Sequence, residues 1–354
     1  MVKLSIIIPT YNEAENIRIL IPKIFSVLND RNFEVIIVDD NSPDKTWEVA
    51  EELAKEYNGI KIVRRPGKLG LASAVVDGLK HADGDIIAVM DADLQHPPEL
   101  LDTLLNTILQ SNADVVIASR YIEGGSVEGW SFWRRLVSKG ATFIAHIILA
   151  ETRGIKDPMS GFFMFRREVV ENVEFNPKGF KILLEILVKG NANKVVEVPY
   201  TFRVRQHGKS KLGIKEYINF LRYALKLSGY KFVKFALVGI SGIAVNMGLL
   251  ALLVTFGLDV AIAGGIAIEL SILNNFTWNT LYTFRDRRTD GVIKSYVKYH
   301  LAVLLGAVIN WIVLVTLTRL GVFYMLANFI GILLGFIANY TLSELYVWMK
   351  KVRK

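Results

Sequence analysis

Apolar residues fall along this chain in two regimes. Before about residue 210 they come in short runs, 4–8, 33–38, 60–63, 86–89 and 114–118, with the length and β-branched character of buried strands. Between these runs, 14–28, 46–57, 69–81 and 98–109 repeat their apolar positions every three or four residues, a helical period. Strand and helix alternating in this order predict an α/β fold with a mostly parallel, Rossmann-like sheet and helices on both faces. The dinucleotide fingerprint is absent, because Pro9-Thr10-Tyr11-Asn12-Glu13 stands where a glycine-rich turn would follow the first strand.

Past residue 230 charge almost vanishes. Residues 235–256 and 323–342 carry no charged side chain, 260–278 only Glu269 and 299–317 only His300. Each run is near the roughly 20 residues that cross a bilayer core, so four spans are expected. Lys and Arg sit on one side of them: Lys226, Lys231 and Lys234 before the first, Arg285, Arg287, Arg288, Lys294 and Lys298 between the second and third, Lys350, Lys351, Arg353 and Lys354 after the fourth. The two opposite turns carry only Arg319. The positive-inside rule then places both termini and the soluble part in the cytoplasm.

The net charge of +8 is accounted for by contact with anionic headgroups, with no need of nucleic acid. Met1 leads directly into the first strand, so no signal peptide is expected. The chain has no cysteine, which excludes disulfides, thiolate catalysis and zinc-thiolate sites. The expected organisation is a catalytic domain over 1–212, an interfacial segment over 213–230 and a membrane domain over 231–354.

The membrane part repeats at a constant offset of 64. Asn275-Phe276-Thr277 returns as Asn339-Tyr340-Thr341, and Leu281-Tyr282 with Phe284 returns as Leu345-Tyr346 with Trp348. Upstream, Phe232-Val233-Lys234-Phe235 matches Tyr296-Val297-Lys298-Tyr299, and Gly242, Asn246 and Gly257 match Gly306, Asn310 and Gly321. Two hairpins of the same orientation, about 231–286 and 295–350, predict a four-helix bundle with a pseudo-twofold axis along the membrane normal. Asn246 and Asn310 are expected to hydrogen-bond between helices. Glu269 has Leu333 as its counterpart, so the repeat does not require it, and an intramembrane carboxylate is a functional candidate.

Chemistry concentrates at Asp91-Ala92-Asp93-Leu94-Gln95, directly after the strand at 86–89. If strand geometry continues, Asp91, Asp93 and Gln95 share one side where a parallel sheet opens onto its ligand. Such hard oxygen donors suit Mg²⁺ or Mn²⁺ bridged to a diphosphate, although an isolated pair of aspartates equally reads as an acidic turn. Pro9, Tyr11 and Glu13 after the first strand are placed to pack on a nucleoside and accept from ribose, and Asp40 after the second to accept from a base. Arg120, and Arg134 with Ser138 on the next helix, are candidate donors to a phosphate. Residues 130–149, with Trp130, Phe132, Trp133, Phe143, Ile144, Ile147, Ile148 and Leu149, are too short to span and suit a helix lying in the interface. Arg205 and Lys211 lie in a glycine-containing loop able to close over a diphosphate.

The stretches Ile6-Ile7-Ile8-Pro9-Thr10-Tyr11-Asn12-Glu13, Val38-Asp39-Asp40-Asn41-Ser42-Pro43-Asp44 and Asp91-Ala92-Asp93-Leu94-Gln95-His96-Pro97, in that order, resemble the family-2 inverting glycosyltransferases with a GT-A fold. Asp157-Pro158-Met159-Ser160-Gly161-Phe162 and Arg205-Gln206-His207-Gly208-Lys209-Ser210-Lys211-Leu212 narrow the resemblance to the polyprenyl-phosphate branch, that of the dolichol-phosphate mannose synthases. The hairpins resemble the GtrA-like membrane module. The resemblance implies transfer of a hexose, mannose from GDP-mannose, to a polyprenyl phosphate. It implies a nucleotide-sugar site of Pro9, Tyr11, Glu13, Val38, Asp40, Asp91, Ala92, Asp93, Gln95, Arg205 and Lys211. Asp93 and Gln95 would hold the metal, Arg120, Arg134 and Ser138 the acceptor phosphate, and Asp91, Asp93, Arg120 and Arg205 would serve catalysis. UDP-glucose as donor, and a flippase for lipid-linked sugar, are the competing readings.

Overall fold

The computed structural model describes residues 2–175, 181–204, 214–287 and 290–348. Arg205 and Lys211, with Arg288 and the lysines and arginine after residue 348, lie outside the described residues. The chain divides into two compact units, Met1–Leu227 and Ser228–Lys354.

The first unit runs β1 (Leu4–Thr10), α1 (Ala14–Val27), β2 (Phe33–Asp39), α2 (Thr46–Glu56), β3 (Ile60–Arg64), α3 (Leu71–His81), β4 (Ile86–Val89), α4 (Leu100–Ser111) and β5 (Val115–Ser119). It continues through β6 (Ser126–Val127), α5 (Phe132–Ile148), β7 (Phe163–Arg166), α6 (Ile182–Lys189), β8 (Val195–Pro199), β9 (Thr201–Phe202) and α7 (Ile214–Leu227). Seven strands form one sheet in the order β3-β2-β1-β4-β7-β5-β8, while β6 and β9 pair apart. Among the described residues only β7 runs against its neighbours. The expected mostly parallel α/β sheet is therefore present.

Alternation within the strands assigns residues to the two faces. Leu4, Ile6 and Ile8 of β1 and Val35 and Ile37 of β2 face α1, α2 and α4, whereas Ile7, Ile36 and Val38 face α3 and α6. Helix α1 meets the sheet with Ile17, Leu20, Ile21 and Ile24, all fully buried. Four such side chains contribute roughly 6–12 kcal/mol as an upper bound on burial.

The second unit holds α8 (Lys231–Thr255), α9 (Val260–Trp278), α10 (Val292–Arg319) and α11 (Tyr324–Leu342). Its two halves repeat in backbone as well as in sequence. A π-helical turn over Asn279–Thr283 follows α9 and another over Ser343–Val347 follows α11, and Gly257 and Gly321 both take φ 85° after the preceding helix. Repeat mates Phe284 and Trp348 stack on each other, with centroids 4.7 Å apart and planes at 12°. Around them Phe235 meets Phe284 and Tyr340 as Tyr299 meets Trp348 and Phe276. Gly242 gives room to Asn275, and Gly306 to Asn339, where a Cβ would overlap the carboxamide.

Two expectations change here. Asn310 Oδ1 is buried without a hydrogen-bond partner and packs against Gly331 and Gly335, and the described hydrogen bonds include no side-chain bond of Asn246. Helix contact at Asn310 is close packing, while Asn274 Nδ2 bonds Ser241 Oγ across helices at 3.2 Å. Glu269 also has company that its place in the repeat did not announce: it accepts from Tyr296 Oη at 2.5 Å and lies 3.1 Å from His300 Nε2.

Candidate active site

Strand order reverses between β1 and β4, so the helices leaving their carboxyl ends part and open a crevice there. Pro9, Tyr11 and Glu13 leave β1 on one lip, Asp91 to Gln95 leave β4 on the other, and Asp40 follows β2 alongside.

The β1 lip is braced by side chains of the β2 loop. Asp39 accepts from Thr10 Oγ1 at 2.9 Å and from the Ser42 amide at 2.9 Å, Ser42 Oγ accepts the Asn12 amide at 3.0 Å, and Thr46 Oγ1 accepts the Glu13 amide at 3.0 Å. Lys68 Nζ stands 4.2 Å over the Tyr11 ring. Asp40 is buried, its Oδ2 accepting the amides of Leu69 and Gly70 at 3.1 and 3.0 Å and its Oδ1 paired with Arg65. In this arrangement Asp40 fixes the 65–70 loop beside the crevice, and a base N–H would have to displace one of these partners. Val38 is fully buried in the sheet, so only its main chain can meet a nucleotide.

On the other lip the sequence expectation needs correcting. Strand geometry stops at Val89, the chain bends through Ala92 and Asp93, and Leu94 takes φ 62°. Alternation therefore does not set Asp91, Asp93 and Gln95 on one side; a turn does the placing. Asp93 Oδ1 accepts the Gln95 amide at 3.1 Å, and its residue is 4% exposed. Gln95 Nε2 donates to Arg203 O at 2.8 Å, and Gln95 O accepts from Arg203 N at 3.1 Å. Gln95 thus ties the acidic turn to the strand end that leads to Arg205. Asp91 keeps its carboxylate partly exposed against Gly161, where a Cβ would come within 3.1 Å of Oδ2; glycine is what leaves room for this acid.

His96, to which sequence reading gave no task, forms the floor. It is 1% exposed, stacks on Phe162 with centroids 5.2 Å apart, and accepts the Asp91 amide on Nδ1 at 3.0 Å. That bond requires the neutral tautomer with the proton on Nε2. Burial, with Arg120 and Lys181 adding to it against Asp93 and Asp157, pushes His96 down to about 4. Lys181 is the second residue missed: it donates to Met159 O at 2.8 Å, and burial together with Arg120 pushes it down to about 8 against Asp157 and Asp91. Neither has a local sequence signal, because each is defined by what the fold packs around it.

At the end of β5, Arg120 Nε and Nη2 both donate to Asp157 at 2.7 Å, and its amide donates to the same carboxylate at 3.0 Å. Asp157 is fully buried and held by Glu197 through its own amide at 2.9 Å. With Nε–H and one Nη2–H given to Asp157, Arg120 has the two N–H groups of Nη1 and the second of Nη2 to offer to a phosphate. Trp130 joins it to Arg134, the guanidinium carbons lying 5.4 and 4.3 Å from the indole centroid. Ser138, one turn along α5 from Arg134, accepts from Tyr121 Oη at 2.7 Å. The same helix turns Phe132, Trp133, Leu136 and Phe143 outward, each at least half exposed, while Ala145 and Ile148 pack with Phe220 and Ala224 of α7.

Hard oxygen donors on one turn fit Mg²⁺ or Mn²⁺, which take few protein ligands and complete their shell with phosphate and water. Among the described residues no three acids or histidines gather as a metal cage. Among the described residues three helical stretches, Lys231–Thr255, Val292–Arg319 and Phe329–Val347, are long and apolar enough to cross a membrane.

The family model of glycosyl transferase family 2 matches residues 5–174, and that of the GtrA/DPMS transmembrane domain matches residues 234–348. A dolichol-phosphate mannosyltransferase of Pyrococcus furiosus is 49% identical over 351 residues, 98% of this chain and 99% of that protein. One from Saccharomyces cerevisiae is 36% identical over 65% of this chain and 89% of its own. Among solved structures, mannosyl-3-phosphoglycerate synthase of Rubrobacter xylanophilus superposes with a TM-score of 0.51 at 19% identity, over 64% of this chain and 73% of its own. Glucosyl-3-phosphoglycerate synthase of Mycobacterium tuberculosis, solved with Mn²⁺ and UDP, gives 0.50 at 20% identity, over 64% and 80%. These two share the fold of the first unit. With a relative this similar along almost its entire length, the chain belongs to the dolichol-phosphate mannosyltransferase family, integral membrane glycosyltransferases of family 2.

Proposed function

We propose that the enzyme transfers mannose from GDP-mannose to a dolichyl or other polyprenyl phosphate, inverting the anomeric carbon, at the cytoplasmic face of a membrane that it crosses four times. One observation carries this reading: an acidic turn and a basic, aromatic helix meet at the carboxyl edge of one sheet, and that helix exposes Phe132, Trp133, Leu136 and Phe143. A nucleotide sugar suits the first element. A phosphate on a lipid chain suits the second, since Arg134 beside exposed aromatic residues offers a charge-assisted donor at the depth of the headgroups.

An acceptor hydroxyl would need a carboxylate base, but a phosphate attacks as an anion and needs none. The protein must instead hold two anions together, and Arg134, Lys181, Arg120, and Arg205 and Lys211 by family resemblance, supply opposing charge. Asp93 and Gln95 would hold Mg²⁺ or Mn²⁺, Gln95 through its carboxamide oxygen, and the bound ion would neutralise charge on the departing diphosphate. Asp91 faces the sugar or ribose. Asp157 orients Arg120, and His96 fixes the Asp91 backbone.

The side of the membrane follows from Lys231, Lys234, Arg285, Arg287, Lys294 and Lys298 against Arg319 alone on the opposite turns. The catalytic domain is taken as 1–212, with 213–230 interfacial and 231–354 as anchor. Donor choice is tested by titrating the purified protein with GDP and with UDP in the presence of Mg²⁺. GDP is expected to bind more tightly; tighter UDP binding replaces GDP-mannose by a uridine donor.

A further inference from the structure

Three aromatic rings surround the Arg120 guanidinium. Its carbon lies 5.3 Å from the ring centroid of Tyr121, 5.4 Å from that of Trp130 and 5.6 Å from that of Phe202. Trp130 differs from the other two in what else it reaches: Arg134 stands over the same indole at 4.3 Å. Two cations, one from the end of β5 and one from the first turn of α5, share a single ring.

The small ribbon of β6 and β9 puts the indole there. Val127 pairs with Phe202, and the Glu128 amide donates to Phe202 O at 3.0 Å. Two residues on, Trp130 sets its ring against that of Phe202, with centroids 5.6 Å apart and planes at 74°, and is half-buried against the sheet core. Asp157 fixes Arg120 from the other direction, taking Nε–H and one Nη2–H. Trp130 supplies what Asp157 does not, a link from Arg120 to Arg134.

Like charges held close together repel, and an arginine on a helix surface relieves the repulsion by swinging into water. The negative face of an indole offsets this for both guanidiniums, and Trp does so more strongly than Tyr or Phe. It also consumes no N–H, so the donors stay available to an anion. A carboxylate in the same place would hold both arginines but occupy their donors and repel a phosphate.

We propose that Trp130 is a positioning residue of the acceptor site, whose indole holds Arg120 and Arg134 together as one grip for the lipid phosphate. The proposal rests on the reading of the acceptor as a polyprenyl phosphate and is independent of the donor base. Trp130 makes no bond to the phosphate and acts through the two arginines.

The test uses purified full-length protein in detergent, a divalent cation, a short polyprenyl phosphate, and GDP-mannose or UDP-glucose, whichever the wild-type protein turns over. Leu and Phe are both smaller than Trp and differ chiefly in the π face. Trp130→Leu should raise the KM for polyprenyl phosphate about 5–50-fold, the range for two cation–π contacts, with affinity for the nucleoside diphosphate of that donor unchanged. Trp130→Phe should recover most of the loss. In an Arg134→Ala background Trp130→Leu should cost less than in the native one, because part of what the ring does is already gone. Leu performing as well as Phe, equal costs in both backgrounds, or a parallel fall in nucleotide affinity overturns the proposal. Wild-type protein that transfers nothing to the polyprenyl phosphate refutes the acceptor reading, and the proposal with it.

Discussion

Among the described residues each strand of the first unit sends out its own set of groups, whereas the membrane unit builds a hairpin and then builds it again. Each strand of the first unit that ends at the crevice delivers something different: Tyr11 and Glu13 from β1, Asp40 from β2, Asp91 and Asp93 from β4, Arg120 from β5. The second unit repeats its π turns, its glycine gaps and its ring contacts at a constant offset, and its centre is a stack of repeat mates, Phe284 on Trp348. Duplication preserves what packing requires, so residues that survive in both copies hold the bundle together. Departures from it, such as Glu269 and His300, are where another task is to be sought.

The comparison breaks most visibly at Asp93. If chemistry resides in the first unit, Asp93→Ala should reduce turnover by about a thousandfold or more, several kcal/mol of lost charge stabilisation, with melting temperature nearly unchanged. Full activity in excess chelator contradicts the metal assignment. In the second unit the matching change is Trp348→Ala. Trp348 is fully buried, and its truncation should destabilise the bundle by about 3–5 kcal/mol while transfer to a short, soluble polyprenyl phosphate proceeds at the normal kcat. A fall in kcat with the fold intact would place the bundle in the active site.

Arg134→Ala sharpens the division inside the first unit. Loss of one charge-assisted contact should raise the KM for lipid phosphate or lower kcat by about 10–100-fold, with GDP affinity intact; an equal loss of GDP affinity moves Arg134 to the donor side.

The smallest effect is on acid stability. Burial pushes the Glu34 carboxyl up, but hydrogen bonds from Lys3, Ser5, the Asp83 amide and Lys61 outweigh it and hold the group at about 2. The unfolded chain, with an ordinary carboxyl at 4.5, takes up its proton first. The stabilisation is complete above that pH and fades as pH falls toward 2. His96 has the same sign over a higher window: the unfolded imidazole charges at 6.5 while the buried one resists to about 4, so stability falls as pH drops through that interval. Glu34→Gln should flatten the melting temperature against pH below 4.5 and leave the His96 slope, as thermal melts from pH 7 to 3 will tell.

Period and repeat made the α/β sheet and the hairpins legible in the sequence, because each rests on residues close along the chain. Strand β7 was not legible: Phe163–Arg166 is a four-residue run whose antiparallel insertion between β4 and β5 depends on partners about 46 or more residues away. The acidic turn could be found but not shaped, since period-2 reasoning extends a strand that Leu94, at φ 62°, turns aside. Arg120 was visible as a cation at a strand end, yet its partner Asp157 lies 37 residues on and only the fold joins them. His96 and Lys181 acquire their character from burial, which no single residue announces.

Lipid product analysis tests the central claim most directly. Purified full-length protein, a divalent cation and a short polyprenyl phosphate are incubated with GDP-mannose or with UDP-glucose, and the lipid is weighed by mass spectrometry and its anomeric linkage assigned by NMR. The account predicts a hexosyl-phosphate lipid of inverted configuration from GDP-mannose, absent with Asp93→Ala. A lipid product formed only from UDP-glucose, or with retained configuration, contradicts it.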